Sequence, residues 1–248
     1  MHNFGDTRSS QQPNHLLLSP DTFVRATLPG MQGCMAIVHI GPALGAKFTE
    51  YTAEFEEGGE LGATGAQRFC FVMEGTVTLE ASSKQTEVGA GGYAYLPQGL
   101  PHRIEARQKS RVAVIEKRYD RVDSVEPPHL IVAHESEVAS HALGDDPDLQ
   151  VKCLLPDTVS FDFAVNTMVY QPGAALSMVE MHVMEHGLIM LEGGGIYRLG
   201  DCWYPVKAGD FIWMGPWCPQ WFGAIGKTPA KYLIYKDWNR HPLSDTAK

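Results

Sequence analysis

Short apolar runs alternate with glycine and proline turns along most of this chain, for example at residues 69–75, 88–93 and 96–101. No long segment places its apolar residues at the spacing of a helix, which repeats every 3.6 residues. Short apolar runs bounded by turn residues are typical of β-strands. The pattern therefore predicts an all-β protein.

The glycine turns recur along the chain with one constant offset. Gly75 and Gly193 are 118 residues apart, and the same offset separates Gly91 from Gly209. A constant offset at two places indicates an internal duplication. We therefore predict two similar β-barrels in tandem, each of roughly 110 residues, a size that can bury its own core.

Polar stretches and turn signals give the predicted boundaries. Residues 1–13 are polar and predicted to be flexible. Residues 14–120 are assigned to the N-terminal barrel, with strands in 14–45 that lead into it or pair across it. Residues 121–160 combine turn signals with short apolar runs and are predicted to form a packed connection. Residues 161–248 are assigned to the C-terminal barrel and a polar tail.

Three potential metal ligands lie close together in the second half of the chain. Glu180, His182 and His186 occur in the string Glu-Met-His-Val-Met-Glu-His. Residues two apart on a strand point to the same face, so Glu180 and His182 aim at one point, and His186 joins them if the strand stays regular. Two imidazoles and a carboxylate suit a divalent transition metal. Glu185 is predicted to point to the opposite face.

The duplication assigns this cluster to one copy only. With the offset applied, Glu180, His182, His186 and Gln220 correspond to Gly62, Thr64, Arg68 and His102. The first copy keeps one candidate ligand, His102, and a single imidazole does not hold a metal well. Because Gln220 is in register with His102, it is predicted to be the fourth ligand. We expect metal chemistry in the second barrel alone.

These residues resemble a known family. Gly173…Glu180-x-His182-x3-His186-x6-Gly193, followed by Gly209…Gln220, resembles the two cupin motifs, with a glutamate in place of the first histidine. More narrowly, the chain resembles the bicupin (S)-ureidoglycine aminohydrolases of purine (allantoin) breakdown. The matching stretches are residues 18–21, 44–48, 91–97, 180–187, 203–210 and 236–240, within a resemblance that runs from 14 to 242. It implies two tandem cupin barrels of the double-stranded β-helix (jelly-roll) type.

The resemblance also implies an activity and roles for particular residues. The expected enzyme is a hydrolase acting on a carbon–nitrogen bond, which converts (S)-ureidoglycine to (S)-ureidoglycolate and ammonia. Its manganese ion would be held by Glu180, His182, His186 and Gln220. Its substrate-contacting residues correspond to Tyr197, Tyr232 and Lys236, which are also the catalytic candidates, and to Met168 in the pocket wall.

The chemistry of the expected donors narrows the choice of metal. One carboxylate, one amide oxygen and two imidazoles leave room for about two further ligands in an octahedron, which favours Mn(II) or Fe(II) over closed tetrahedral zinc. Other divalent metals stay possible. Lys236 is a candidate for proton transfer or for pairing with the substrate carboxylate. Tyr197 and Tyr232 are candidates for hydrogen bonds to the ureido group or the leaving amine.

Two other functions fit a cupin of this kind. One is an Fe(II) dioxygenase acting on thiols or catechols, which would consume oxygen. The other is a non-catalytic cupin that binds a small molecule without turning it over. The match over both barrels, together with the tyrosines and the lysine, favours the aminohydrolase.

The composition of the chain limits which binding partners and which cellular compartment we expect. The formal net charge of -9 argues against nonspecific nucleic-acid binding, which needs clusters of lysine and arginine. Five cysteines, an odd number without paired spacing, suit a reducing compartment. The N-terminus has no apolar core of a signal peptide and no run reaches transmembrane length, so we expect a cytoplasmic protein without membrane contact. A small ureide is the expected partner, and a homo-oligomer is expected by analogy with bicupins.

Overall fold

A computed structural model describes residues 6–238 and residue 240 of the chain. Within these residues almost all regular structure is β-strand, which confirms the all-β class. In chain order the strands are β1 (Ser10–Gln12), β2 (His15–Leu18), β3 (Arg25–Ala26), β4 (Met31–Ile40), β5 (Thr49–Gly62), β6 (Gln67–Glu74), β7 (Thr76–Ala81), β8 (Lys84–Gly89), β9 (Gly92–Leu96), β10 (His102–Ala106), β11 (Ser110–Lys117), β12 (Ile131–His134), β13 (His141–Leu143), β14 (Asp146–Cys153), β15 (Ala164–Tyr170), β16 (His186–Glu192), β17 (Gly194–Leu199), β18 (Cys202–Lys207), β19 (Phe211–Met214), β20 (Gln220–Ala224) and β21 (Ala230–Lys236). Short 3₁₀ helices span Pro20–Thr22, Pro42–Leu44 and Glu135–Glu137.

The chain divides into two compact units. One unit comprises residues 24–138, and the other combines the described residues up to Phe23 with those from Ala139 onwards. Each unit has its own cluster of buried apolar side chains. Two separate cores of this kind agree with the predicted tandem barrels.

The unit of residues 24–138 is a curled sheet with the strand order β12-β9-β6-β11-β5-β10-β7-β8, and β4 pairs with β5. The long strand β5 turns the corner of this barrel. Its residues 49–55 pair with β11, whereas residues 60–62 pair with β10. Gly58 lies between these two stretches with a positive φ of 72°, a conformation that glycine adopts without steric cost.

The other unit contains an eight-stranded sheet with the order β1-β2-β19-β16-β21-β15-β14-β13, and a three-stranded sheet with the order β18-β17-β20. Inward-facing residues of both sheets form its core, including Tyr170, Leu188, Phe222 and Ile234. Strands β16 and β20 begin at His186 and Gln220, so two of the predicted ligands start the strands that line one end of this barrel.

The N-terminal residues belong to the second barrel, which differs from the predicted boundaries. Strand β2, assigned by sequence to residues 14–120, pairs with β19 from Phe211↔Leu18 to Met214↔His15. The stretch predicted to be flexible, 1–13, contains β1, and Arg8 within it forms an ion pair with the buried Asp210 carboxylate. Long-range strand pairing is not visible in a local pattern, because it depends on which sheet edge is free. Residues 1–5 lie outside the described residues.

The predicted connection, residues 121–160, divides between the two units. Strand β12 pairs with β9 in the first unit, whereas β13 and β14 extend the sheet of the second through β15. The segment thus supplies strands to both barrels, and most of its residues are exposed or half-buried. The polar tail from Asn239 lies outside the described residues except for Arg240. Among the described residues, no helix has the length and apolar character needed to cross a membrane.

The repeated glycines occupy equivalent turns in both copies. Gly75 and Gly193 have φ values of 83° and 64°, and Gly91 and Gly209 have values of 81° and 92°. At Gly75 and Gly193 a Cβ atom would also collide with the backbone of a neighbouring strand. The offset found in the sequence therefore reflects turns that need glycine for the same backbone reason in both barrels.

Candidate active site

A cavity of about 370 Å³ lies inside the second barrel. It is lined by all eight residues that the sequence singled out, namely Met168, Glu180, His182, His186, Tyr197, Gln220, Tyr232 and Lys236. They come from five separate places in the chain. The structure therefore brings the predicted residues together, and their individual roles stay predictions.

The segment that carries Glu180 and His182 is not a strand. It runs irregularly from the end of β15 at Tyr170 to the start of β16, and its regular pairing is limited to two isolated bridges, Ala175↔Gly223 and Glu180↔Gln220. The strand geometry expected for Glu180 and His182 is thus wrong. Convergence is produced instead by the backbone pairing of Glu180 with Gln220, which exchange two hydrogen bonds of 2.8 and 2.9 Å.

Polar atoms of four side chains lie near one another in the cavity wall. His182 Nε2 lies 3.4 Å from His186 Nε2, 2.8 Å from Gln220 Nε2 and 3.9 Å from Glu180 Oε2. In an octahedral site with bonds of roughly 2.1 Å, neighbouring donor atoms stand roughly 3 Å apart. The spacing and the mixed nitrogen and oxygen donors fit a divalent cation. Of the two amide atoms of Gln220, the oxygen is the one able to coordinate it.

Glu180 stands slightly apart from the other three side chains. Its side chain is 39% exposed, whereas His186 and Gln220 are buried. Among the described residues, no group of three or more His, Cys, Asp or Glu side chains is arranged closely enough to hold a metal ion. The two histidines and the glutamine lie close together, and Glu180 would have to move closer to complete the predicted set of four ligands.

Burial keeps the two histidines neutral. It lowers the pKa of His182 and, more strongly, that of His186, and the positive charge of Lys236 lowers both further. A neutral imidazole offers a free nitrogen lone pair, and a protonated one does not. Both rings are thus in the form that a metal requires.

Two of the predicted residues that line the cavity are tyrosines. Tyr197 and Tyr232 are buried, and burial raises the pKa of each phenol well above its usual range. They therefore stay protonated and can donate hydrogen bonds. The hydroxyl of Tyr232 lies 2.8 Å from that of Tyr170, a third buried tyrosine that the sequence reasoning missed.

Lys236 is the last residue of β21, which pairs with β16. It is the register partner of His186 on one side and of Ala164 on the other. Burial lowers the pKa of its ammonium, and the Glu180 carboxylate partly offsets this. Its ammonium forms no salt bridge with any residue in the described part of the chain. A desolvated, unpaired lysine is suited to proton transfer or to binding an anion.

Other cavity residues were missed by sequence reasoning, above all Asn166 on β15. The alternation of Ala164, Asn166 and Met168 on one face of a strand was the available signal, since Met168 was already assigned to the cavity wall. Cys153 and His141 also line the cavity. Nothing in the sequence linked these two residues to the site, because their position depends on the pairing of β13 and β14 with β15.

Two residues near the ligands lie away from the cavity. Glu185 is buried and accepts a hydrogen bond of 3.3 Å from Trp213 Nε1, in agreement with its predicted opposite orientation. Cys218 is buried behind Gln220 and packs in the apolar core. The cysteines are free: Cys34, Cys70 and Cys218 are buried, whereas Cys153 and Cys202 are not.

Comparison with known proteins agrees with the architecture. Residues 166–235 match a family described as cupin domain, and residues 43–119 match the EutQ-like cupin domain. The chain superposes on the crystal structure of the protein Ylba from E. coli with a TM-score of 0.84 at 30% sequence identity, covering 95% of this chain and 96% of that one. Two barrels, each matching a cupin domain, define a bicupin protein.

Curated relatives identify the family within that class. The chain is 39% identical to the (S)-ureidoglycine aminohydrolase of Arabidopsis thaliana over 96% of its own length and 80% of the relative's. It is 34% identical to the Escherichia coli enzyme of the same name, over 92% of this chain and 89% of that one. The chain belongs to the (S)-ureidoglycine aminohydrolase family.

Proposed function

We propose that this protein hydrolyses (S)-ureidoglycine to (S)-ureidoglycolate and ammonia, with a divalent metal, foremost manganese, as its cofactor. The observation that carries the proposal is the convergence of Glu180, His182, His186 and Gln220 beside Lys236 in one cavity. The curated relatives of that name, 34–39% identical over most of the chain, support the choice of substrate.

The donor set supports manganese more than zinc. Glu180, His182, His186 and Gln220 would hold the ion, and the mixture of carboxylate, amide and imidazole leaves positions open for substrate. When bound, the metal supplies Lewis acidity and a template at the carbon that carries the amine, the ureido nitrogen and the carboxylate. Fixing one face of that carbon accounts for a single stereoisomer of the product.

Lys236 has the position and the charge to act on the substrate directly. Its ammonium lies on the cavity wall one strand from His186, without a salt-bridge partner among the described residues. It can pair with the substrate carboxylate or, because burial lowers its pKa, exchange a proton with the leaving amine or the attacking water. Both roles need the lysine to stay inside the cavity.

The tyrosines and the cavity wall orient the substrate and limit water. Tyr197 and Tyr232 are protonated donors in the cavity wall, where they can bind the ureido group or the departing amine. Met168, paired in register with Tyr232, forms an apolar part of the wall. A cavity of about 370 Å³ suits a small polar ligand enclosed on most sides.

A coupled assay tests this function. (S)-Ureidoglycine is generated in situ from allantoate with an allantoate amidohydrolase, the protein is added with Mn(II), and ammonia release and the chirality of ureidoglycolate are followed. Faster ammonia release with the (S) product alone is expected, above the racemic product of spontaneous decay. Background rate and racemic product with metal loaded would refute the activity. Oxygen uptake with Fe(II) would then support a dioxygenase, and ligand binding without turnover a binding protein.

A further inference from the structure

Among the polar side chains of the cavity wall, Asn166 has no role assigned to it above. Asn166 lies in the middle of β15, between Ala164 and Met168, and all three line the cavity. Its neighbours along the inward face of the sheet are apolar, since its register partner on β21 is Ile234. Asn166 is therefore an amide set into an otherwise apolar part of the wall.

This amide is nearly buried and has no partner in the protein. Asn166 is 7% exposed, and its side chain forms no hydrogen bond with any residue in the described part of the chain. Its polar atoms are not sealed in the core, because they face the cavity. An amide in this environment costs free energy unless a ligand or water satisfies it. Nothing in the packing of β15 accounts for an asparagine here.

The strand register places Asn166 within reach of a ligand held at the metal ligands. His186, Lys236 and Ala164 form one row across β16, β21 and β15. Asn166 lies on the next inward-facing row of β15, two strands from β16, and neighbouring strands are about 4.8 Å apart. A small molecule held beside His186 and Lys236 would therefore reach Asn166 with its opposite end.

We infer that Asn166 determines specificity by binding the ureido group of the substrate through its carboxamide. A primary amide offers one donor and one acceptor side by side, and a ureido group presents the complementary pair, a carbonyl oxygen and an N–H. Nδ2 would donate to the ureido carbonyl, and Oδ1 would accept from the terminal NH₂ of the ureido group. This inference rests on the proposed function. The apolar neighbours of Asn166 cannot form hydrogen bonds with the ureido group, whereas the carboxamide of Asn166 can.

Two matched ligands test the inference by binding rather than by turnover. N-Carbamoylglycine keeps the carboxylate and the ureido group, whereas N-acetylglycine replaces the terminal ureido NH₂ by a methyl group. Calorimetric titration of the full-length, Mn(II)-loaded protein should show tighter binding of N-carbamoylglycine. In Asn166→Leu that affinity should fall at least about tenfold, and the ratio between the two ligands should approach one. An unchanged ratio would overturn the inference.

Thermal stability separates recognition from a structural role. Leucine has a similar size and removes an unsatisfied amide, so Asn166→Leu should raise the melting temperature by about 2–4 °C while binding weakens. A lower melting temperature would assign the amide to the fold and contradict the inference. Asn166→Ala gives the same ligand comparison if the leucine variant does not fold.

A matched control and a separate assay complete the test. Gln150→Ala removes a carboxamide from the neighbouring strand β14, on the face turned away from the cavity, and should bind both ligands as the wild type does. Turnover of (S)-ureidoglycine by the wild type tests the proposed function separately. If the preference for N-carbamoylglycine depends on Asn166 but the wild type does not turn over (S)-ureidoglycine, the ureido-binding role of Asn166 is supported and the proposed reaction is refuted.

Discussion

In the first barrel, Arg68 Nη1 lies 2.8 Å from His102 Nε2. These two residues occupy the positions that His186 and Gln220 hold in the second barrel, at the constant offset of 118 residues. His102 Nδ1 donates to the carbonyl of Leu100 at 2.7 Å, so Nε2 is left to accept from the guanidinium. The first barrel therefore has the charged Arg68 side chain at a position where the second barrel has one of its predicted metal ligands.

The guanidinium is held by further partners in the same place. Arg68 Nε donates to Glu116 Oε1 at 2.8 Å, and Nη1 donates to the carbonyl of Gly62 at 2.7 Å. Tyr51 also donates to Glu116 Oε1, at 2.8 Å. The first barrel thus satisfies its central polar groups internally, which gives a physical reason for the prediction that metal chemistry is limited to the second barrel.

Replacing Arg68 should weaken the first barrel without changing metal content. Arg68→Met leaves the Glu116 carboxylate and the His102 ring without their central partner, so the free energy of unfolding should fall by about 2–4 kcal/mol. This is checked by urea unfolding, with Arg103→Met, which removes an exposed ion pair with Glu60, as a control expected to change little. Metal analysis should still find one ion per chain, and loss of metal would contradict this reading.

Removing a metal ligand should remove metal and activity together. His182→Ala and Glu180→Ala each delete one donor from a set of four, so bound manganese should fall to background in elemental analysis and turnover should stop. Glu192→Gln alters an exposed carboxylate at the end of β16 and should keep both. Full activity in a variant without metal would rule out this site.

Replacing Lys236 should separate binding of the metal from catalysis. Lys236→Met keeps the four ligands, so metal content should be unchanged, while turnover should drop at least about 100-fold because proton transfer or anion pairing is lost. Lys231→Met changes a lysine on the same strand that faces away from the cavity, and it should retain turnover. An unchanged rate in Lys236→Met would remove Lys236 from the mechanism.

Tyr170 should act through Tyr232. The hydroxyls of these residues are 2.8 Å apart, and Tyr232 is the hydrogen-bond partner of Tyr170 among the described residues. Tyr170→Phe should lower kcat about fivefold, the value of one net hydrogen bond, with little change in KM. In a Tyr232→Phe background the same change should have no further effect, which a double-mutant cycle measures. Additive losses would show that Tyr170 acts independently, and Tyr51→Phe in the other barrel serves as the control.

His39 should make the protein sensitive to acid. Burial, together with the positive charge of Arg111, lowers the pKa of His39 to about 3, and Nε2 lies 2.9 Å from Thr52 Oγ1. The unfolded chain takes up this proton near pH 6.5 and the folded chain does not, so stability is present above pH 6.5 and is lost as the pH falls towards 3. The loss should approach about 1.4 kcal/mol per pH unit.

Urea unfolding at several pH values checks the effect. His39→Gln should lose less stability than the wild type between pH 7 and 5, by roughly 2 kcal/mol. His129→Gln, which alters a histidine whose side chain is 82% exposed, should follow the wild type. Parallel curves for the wild type and His39→Gln would contradict the assignment.

Much of the architecture was readable from local pattern. The all-β class and the two barrels were predicted from short apolar runs and from turns repeated at one offset, and both are confirmed. The reason is that glycines such as Gly75 and Gly193 are required by the local backbone, whose positive φ values other residues rarely adopt. The family resemblance also identified the eight cavity residues, because proteins that share a fold place the residues of a shared motif at equivalent positions.

The local sequence pattern did not show which strands pair over long distances in the chain. The sequence assigned residues 14–18 to the first barrel, yet β2 pairs with β19 in the second. It expected a strand for Glu180 and His182, yet the backbone there is irregular and is positioned by Gln220, forty residues later. Neither outcome is decided by neighbours in the chain, because each depends on which distant strand edge is free to accept hydrogen bonds.

The sequence by itself therefore determined the fold class, the duplication and the candidate ligands, since these depend on local turn chemistry and on residue type. The tertiary structure decided which side chains satisfy one another. It paired Arg68 with His102 and Glu116, joined Tyr170 to Tyr232, and left the amide of Asn166 facing the cavity without a partner in the described chain. Whether a buried polar group is satisfied is a property of the packed barrel, because its partners come from strands far apart in the sequence.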